Sequence, residues 1–453
     1  MRVVSITSDE FEDVTQDCLN FFDMLEIRHD SQDILNYALI RKQIPIPLIY
    51  THHFAKEPRV DFYQEALEQG FDWIDCDFNF FKAHRQKMSF VPSEKLVLSW
   101  HLKNLESAWD QLFEIREQSL QQEKSVIKLA FPCDDAALAC QFLKKWNEEF
   151  VRSDRVLSIM GKGGEFLRIC APILKQKWSY FSFKKPTAPG QISMQTYLEE
   201  GYPKSFDSQS KIYAVCGEPI SHSQSPRIHN QYFLEAGKSH CMVRMPTTNP
   251  QVLLENAPDL LAGLACTMPV KQSFANILNS PTPVNTLLIS KGKTEVYNTD
   301  VMAIANLLQV KLPHWRQCIK KIVVVGAGGL AHACILEFLK FNIPMVILNR
   351  TESKAIHLAT VFGIQHQVYG KPLDLDGSLV LQASACGMQN SLEIPFPPNS
   401  LTPSTAVLES VYANQETALL SQARARGCVT IDGLEMFMEQ ARLQNQLFLR
   451  ENS

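Results

Sequence analysis

The chain has no Cys-x-x-Cys pair and no group of histidine and cysteine at zinc spacing, although it holds 12 cysteines. Scattered thiols, several inside apolar stretches (Cys76, Cys266, Cys334), read as reduced core residues of a cytoplasmic protein. They do not form a metal centre or a disulfide framework. No apolar run approaches the ~20 residues that cross a bilayer. Neither sign of charge dominates: the formal net charge is −4, which gives no general reason to expect a nucleic-acid or membrane partner. The first ten residues lack a long apolar segment and reach acids by Asp9, so no signal or transit peptide is expected. What is present is a globular composition, 45% hydrophobic and 20% charged, over 453 residues. That length predicts roughly two to four domains.

The stretch Ile322-Val-Val-Val-Gly-Ala-Gly-Gly-Leu-Ala-His-Ala333 is the densest signal. A β-branched strand enters a glycine-rich turn and then an apolar helix. Gly326, Gly328 and Ala331 fit the G-x-G-x-x-G/A dinucleotide pattern, with Ala327 and Gly329 in the same turn. The next strand ends in Asn349-Arg350-Thr351. An acidic residue there would favour NAD. Arg350 can instead fork a 2′-phosphate, so NADP is the expected cofactor. The motif lies late in the chain, so a Rossmann domain accounts for only part of it.

The first ~185 residues repeat a short apolar strand followed by a longer amphipathic stretch. The expected strands are Arg2–Ile6, Met24–Arg28, Pro47–Thr51, Asp72–Asp77, Leu96–His101, Val126–Phe131, Arg155–Met160 and Trp178–Phe183. Helices are expected at Ser107–Gln122 and Asp135–Glu149. Such β/α units predict a TIM (β/α)8 barrel, with a doubly wound open sheet as the alternative. Side chains alternate along a strand. Glu26, Arg28, His101 and Lys128 therefore share the face opposite their apolar neighbours and converge near the C-terminal mouth. Apolar neighbours around Lys128 predict a depressed amine pKa and a Schiff-base nucleophile.

Residues 1–192 resemble type I 3-dehydroquinate dehydratase. The resemblance rests on Leu25-Glu-Ile-Arg28, Ala55-Lys-Glu57, Ser99-x-His101, Lys128, Met160-x7-Arg168 and Thr187-Ala-Pro-Gly-Gln191. It implies an imine between Lys128 and the substrate ketone, with His101 as general acid/base and Glu57 orienting it. It also implies that Glu26, Arg28, His53, Arg168, Thr187 and Gln191 bind substrate. His53 stands where the family often has arginine, and Thr187 where it has serine.

A polar stretch, 201–210, reads as a linker. Beyond it, residues 211–451 resemble shikimate dehydrogenase. Tyr213-Ala-Val-Cys-Gly-Glu-Pro-Ile-Ser-His-Ser-Gln-Ser-Pro-Arg-Ile-His-Asn230, Cys266-Thr-Met-Pro-Val-Lys271, Val284-Asn-Thr286, Asn298-Thr-Asp300, Ser384-Ala-Cys-Gly-Met388, Val411-Tyr412 and Gln440-Ala441 follow in family order. This resemblance implies a proton-transfer pair, Lys271 and Asp300. Ser223, Ser225, Thr267, Asn285, Tyr412 and Gln440 would bind substrate, and Gly433 would join the cofactor residues. Ala265, Val301-Met-Ala303 and Gln382 depart from the family pattern.

The implied domains are a barrel (1–200), the linker, a substrate-binding α/β domain (211–300) and an NADP-binding Rossmann domain (301–430). A last helix (431–453) would pack back on the substrate domain. Together the resemblances imply a bifunctional enzyme that dehydrates 3-dehydroquinate to 3-dehydroshikimate and reduces that product to shikimate. The implied partners are small molecules, without metal. An NAD-preferring quinate/shikimate dehydrogenase and a non-catalytic quinate sensor stay open as other readings.

Overall fold

The computed structural model describes residues 1–29, 36–52, 59–290, 292–388, 391–412 and 415–450. The chain divides into two compact units, Met1–Ala262 and Gly263–Ser453.

The first unit opens with eight strands: β1 (Arg2–Thr7), β2 (Met24–His29), β3 (Leu48–His52), β4 (Trp73–Asp77), β5 (Leu96–His101), β6 (Val126–Pro132), β7 (Arg155–Met160) and β8 (Ser179–Ser182). Their sheet order is β7-β6-β5-β4-β3-β2-β1-β8, and every pairing is parallel. A backbone bond from Lys177 N to Arg155 O, 2.9 Å, narrows the seam between β7 and β8. This is a TIM barrel, and its strands lie within a residue of the expected ends. One helix starts earlier than expected, at Leu105. Ser107, read as its beginning, is the third-residue partner in a capping box whose cap is Asn104.

The period of two sorts the barrel interior into tiers. Val3, Met24, Ile49, Val97, Val126, Val156 and Tyr180 form an apolar layer, with Trp73 packed against it. Two residues further along each strand stand Ser5, Glu26, Thr51, Asp75, Ser99, Lys128, Ser158 and Ser182. An apolar floor therefore supports a polar tier, and that tier lies towards the C-terminal mouth.

After the barrel come β9 (Ile212–Gly217) and β10 (Cys241–Pro246), a parallel pair joined by the helix Ser225–Glu235. Pro226 occupies the first turn of that helix, where its missing N–H costs nothing. The stretch before β9 is tied down: Tyr202 is buried and Asp207 accepts from Ser239 Oγ at 2.6 Å. Asp135 caps the barrel helix Ala136–Glu149 and also accepts from Thr247 Oγ1 (2.9 Å) and Asn249 Nδ2 (2.7 Å) beyond β10.

The boundary between the units falls inside β11 (Leu261–Cys266). In the second unit β11, β12 (Thr286–Ser290) and β13 (Lys293–Tyr297) run antiparallel. A six-stranded parallel sheet follows: β14 (Lys321–Val325), β15 (Met345–Leu348), β16 (Gln365–His366), β17 (Ser378–Gln382), β18 (Ala406–Glu409) and β19 (Val429–Ile431). Its order is β16-β15-β14-β17-β18-β19, a Rossmann-type sheet. Both faces are covered: Ile322 and Val324 enter one core, Val323 and Val325 the other. The final helix, Gly433–Phe448, sends Gln444 to Asn285 O (3.2 Å) and Thr286 Oγ1 (2.9 Å).

Glu409, the last residue of β18, is fully buried and accepts from Val411 N (3.0 Å) and Thr417 Oγ1 (3.1 Å). Burial pushes its carboxyl up to about 7. A raised carboxyl binds its proton more tightly in the folded state. Its stabilising share is complete in acid and is lost as pH rises towards the folded value. Glu409→Gln removes that loss. Urea midpoints of the variant relative to the parent should therefore move in the variant's favour between about pH 5 and about pH 8. A constant difference across that range would refute the assignment.

Candidate active sites

Lys128 lies on β6 in the polar tier. Its Nζ is 2.6 Å from Asp75 Oδ2, 3.8 Å from Glu26 Oε1 and 4.2 Å from the centre of the Tyr180 ring. Glu26 is held by Ser5 Oγ (2.5 Å) and Thr51 Oγ1 (2.8 Å), and Asp75 by Ser99 Oγ. The expected apolar setting is wrong, and so is the depressed amine. Burial does disfavour the ammonium, but Asp75, Tyr180 and Glu26 outweigh it and the Lys128 pKa is raised. Burial likewise works against the Asp75 carboxylate, yet Lys128 holds it below the usual range.

One tier higher, Asp77 Oδ2 stands 3.8 Å from His101 Nδ1, while Asp77 also caps the helix Phe78–Ala83. Arg28 Nη1 donates to Thr187 O at 2.8 Å. Thr187 donates through N and Oγ1 to Gln191 Oε1, both at 2.8 Å, and Gln191 Nε2 reaches Ser5 Oγ at 3.3 Å. The turn carrying them packs backbone to backbone. A Cβ on Gly190, whose φ is +70°, would lie 2.1 Å from Gly161 O, so glycine is required there. Arg168 is buried; its Nη2 reaches Pro189 O at 3.5 Å, and Nε and Nη1 have no hydrogen-bond partner among the described residues. A guanidinium left open in this way suits a carboxylate.

The structure thus gathers Glu26 with Lys128, and Arg28 with Thr187 and Gln191. His53 and Glu57 lie outside the described residues. Asp75 and Asp77 were missed. The signal was present: in Trp73-Ile-Asp-Cys-Asp77 the alternation that exposed Glu26 and Lys128 also places both acids inward.

In the loop after β9, Ser223 Oγ accepts from Ser225 N at 3.3 Å and Ser225 begins the next helix. These serines belong to the first unit. The remaining expected residues belong to the second. There Lys271 Nζ lies 2.5 Å from Asp300 Oδ2, with both side chains partly buried. Asn285 is engaged by its own neighbours: Nδ2 donates to Thr299 Oγ1 (2.9 Å), while Oδ1 accepts from Thr299 N (2.7 Å) and Thr286 Oγ1 (2.8 Å). Thr267 closes the turn to Val270. Tyr412 is stacked on Phe437 at 4.6 Å, and Gln440 donates to Phe437 O at 3.1 Å.

The glycine turn follows β14 at the switch point between β15 and β17. Gly326 has φ +112°, and a Cβ there would lie 2.6 Å from Ala383 O at the end of β17. Above Gly328 there is open space, and Gly329 begins the helix Gly329–Phe338. A Cβ on Gly329 would lie 3.7 Å from Lys271 Cβ, which places the turn beside the Lys271–Asp300 pair. Ala327 lies between these glycines. After β15, Asn349 Nδ2 braces Thr351 O at 2.9 Å, and Arg350 is exposed with Glu393 Oε2 3.6 Å away. Gly433 is packed against the Val411 carbonyl and heads the last helix. Glycines, helix N-terminus and exposed cation together fit a dinucleotide with a 2′-phosphate.

A barrel with an inward lysine, joined to a Rossmann sheet with a Lys–Asp pair beside its glycine turn, defines a two-activity α/β enzyme. Residues 3–202 match the type I 3-dehydroquinase family, and residues 215–287 match the shikimate dehydrogenase substrate binding domain. A bifunctional 3-dehydroquinate dehydratase/shikimate dehydrogenase of Arabidopsis thaliana is 27% identical over 94% of this chain and 77% of its own. The NADP(+) shikimate dehydrogenase of Paracoccus denitrificans is 32% identical over 51% of this chain and 87% of its own. A crystal structure of a shikimate dehydrogenase with NADP+ has a TM-score of 0.48 and 27% identity, covering 54% of this chain and 92% of that one. The chain belongs to the shikimate dehydrogenase family, and a type I 3-dehydroquinase precedes that enzyme in it. Among the described residues no helix is long and apolar enough to cross a membrane.

Replacing Lys128 by methionine would leave Asp75 and Glu26 facing each other, buried and uncompensated. The variant should lose about 3 kcal/mol or more of stability near neutral pH. The loss should shrink in acid, because lone buried carboxyls take up protons. Urea titrations at both pH values check this; an equal loss at both would refute it.

Proposed function

We propose that the barrel dehydrates 3-dehydroquinate to 3-dehydroshikimate and that the second half reduces this product to shikimate with NADPH. The reading rests above all on Lys128, a buried amine among carboxylates beneath a mouth lined by Arg28, His101 and Arg168. We assign the dehydratase to residues 1–200, the connector to 201–210, substrate binding to 211–300, the cofactor to 301–430 and the closing helix to 431–453.

In the barrel, Lys128 passes its proton to a neighbour and attacks the substrate ketone. Water leaves, and a protonated imine forms. That cation accepts the electron pair released when His101 removes the C2 proton. His101 then returns a proton to the C1 hydroxyl, which departs as water, and hydrolysis of the imine restores the lysine. Arg168 and Arg28 hold carboxylate and hydroxyl groups, Glu26, Thr187 and Gln191 order the rest, Glu57 would orient His101 and His53 would bind substrate. In the second half, Lys271 delivers the proton that the nascent alkoxide needs, and Asp300 holds and polarises it. Ser223, Ser225, Thr267, Asn285, Tyr412 and Gln440 orient the substrate. NADPH, when bound, supplies the hydride; Gly326 to Gly329 and Gly433 would receive it, with Asn349, Arg350 and Thr351 on the 2′-phosphate.

The cytoplasm is the proposed compartment, in keeping with free cysteines throughout the described residues.

Mixing protein, 3-dehydroquinate and NADPH should oxidise the nucleotide. Lys128→Met should abolish this but leave reduction of added 3-dehydroshikimate, whereas Lys271→Met should abolish NADPH oxidation with either substrate while 3-dehydroquinate is still dehydrated. Absence of turnover on either substrate by the parent would end the proposal and favour a sensor. Arg350→Gln should raise the KM for NADPH about tenfold or more while leaving that for NADH nearly unchanged. Better parental activity on quinate with NAD would favour the quinate dehydrogenase reading.

A further inference from the structure

Arg244, on β10, has no role in the chemistry above, yet it joins residues from both proposed sites. Its guanidinium forks Glu200, with Nη1 to Oε2 at 2.7 Å and Nη2 to Oε1 at 2.5 Å. Nη2 also donates to Ser223 O at 2.9 Å. Nη1 lies 3.5 Å from Glu165 Oε1. Glu165 opens the short barrel helix Glu165–Ile169, and Arg168 follows three residues later on the same helix, a spacing that makes the two side chains neighbours. Side-chain exposures of 13% for Arg244, 14% for Glu200 and 19% for Glu165 leave little solvent screening. Arg168, Glu165, Arg244 and Glu200 are thus neighbours of alternating sign, all within the first unit.

We propose that Arg244 is a positioning residue shared by the two sites: it fixes the Ser223 carbonyl, and it shares Glu165 with Arg168. The inference rests on the functional reading above. At the reductase end, the carbonyl bond sets the turn that presents the Ser223 and Ser225 hydroxyls. At the dehydratase end, Arg244 takes up part of the Glu165 charge, so the cation of Arg168 stays available to a substrate carboxylate. Without Arg244, Glu165 would neutralise Arg168 instead. Replacing Glu165 by glutamine removes that competitor.

The two ends can be read separately in the full chain at about pH 8, above the usual carboxylate range. Arg244→Met should raise the KM for shikimate in the NADP+-linked direction about tenfold and the KM for 3-dehydroquinate about fivefold. The KM for NADP+ and both kcat values should stay within about twofold, a split that general loss of structure would not produce. Adding Glu165→Gln to Arg244→Met should restore the KM for 3-dehydroquinate but not that for shikimate. Arg244→Lys, which keeps the charge but not the fork, should behave as the double variant does. Unchanged KM values in Arg244→Met, or no restoration at the barrel by Glu165→Gln, would overturn the proposal. If the parent fails on both substrates the functional reading fails; if the parent works and the variants match it, only the role of Arg244 falls.

Discussion

Lys128 Nζ lies 2.6 Å from Asp75 Oδ2 where both side chains are almost wholly buried, and such a charge persists only beside its opposite. Much of the barrel interior follows from that demand. Asp75 needs Ser99, Glu26 needs Ser5 and Thr51, and all are supplied by inward positions one tier above the apolar floor. The apolar floor lies below the polar tier, which therefore faces the mouth. A site is therefore fixed in place before any substrate arrives.

The second half uses the same pairing with a different setting. Lys271 lies 2.5 Å from Asp300, but its side chain keeps 18% exposure against 10% for Lys128. The difference suits the chemistry proposed for each. An imine-forming lysine is held until a ketone replaces its partner, and deep burial makes the protonated imine a strong electron sink. A proton shuttle needs a route to water to be recharged. The glycine turn beside Lys271 adds the remaining requirement, since a side chain on Gly326 would collide with the end of β17.

Much of this was legible in the sequence because strand alternation is local. Eight barrel strands, the glycine turn and the inward Glu26 and Lys128 all follow from a period of two and from glycine's conformational range. What failed was the inference from neighbours in sequence to neighbours in space. Ile127 and Leu129 flank Lys128 along the chain but point the other way, and the groups that decide its charge come from β2, β4 and β8. Asp75 is legible by the same alternation, since Trp73, Asp75 and Asp77 share one face of their strand. Arg244 was not legible at all. Its meaning depends on Glu165 and Glu200, which are distant in sequence and carry no motif of their own.

The cofactor preference turns on a similar contest between charges. Arg350 stands 3.6 Å from Glu393, a contact that could be taken as its purpose. The Arg350 side chain is 80% exposed, and a pair in that setting contributes little. A dianionic 2′-phosphate presents more charge and more acceptors than one carboxylate, and it meets the planar fork with matched geometry. It would therefore displace Glu393 rather than compete with it on equal terms. A ribose hydroxyl offers no such advantage, so Arg350 would stay with Glu393 and NAD would gain nothing from it. On the proposed reading the glycine turn would accept either dinucleotide, and the exposed arginine one strand away would separate them.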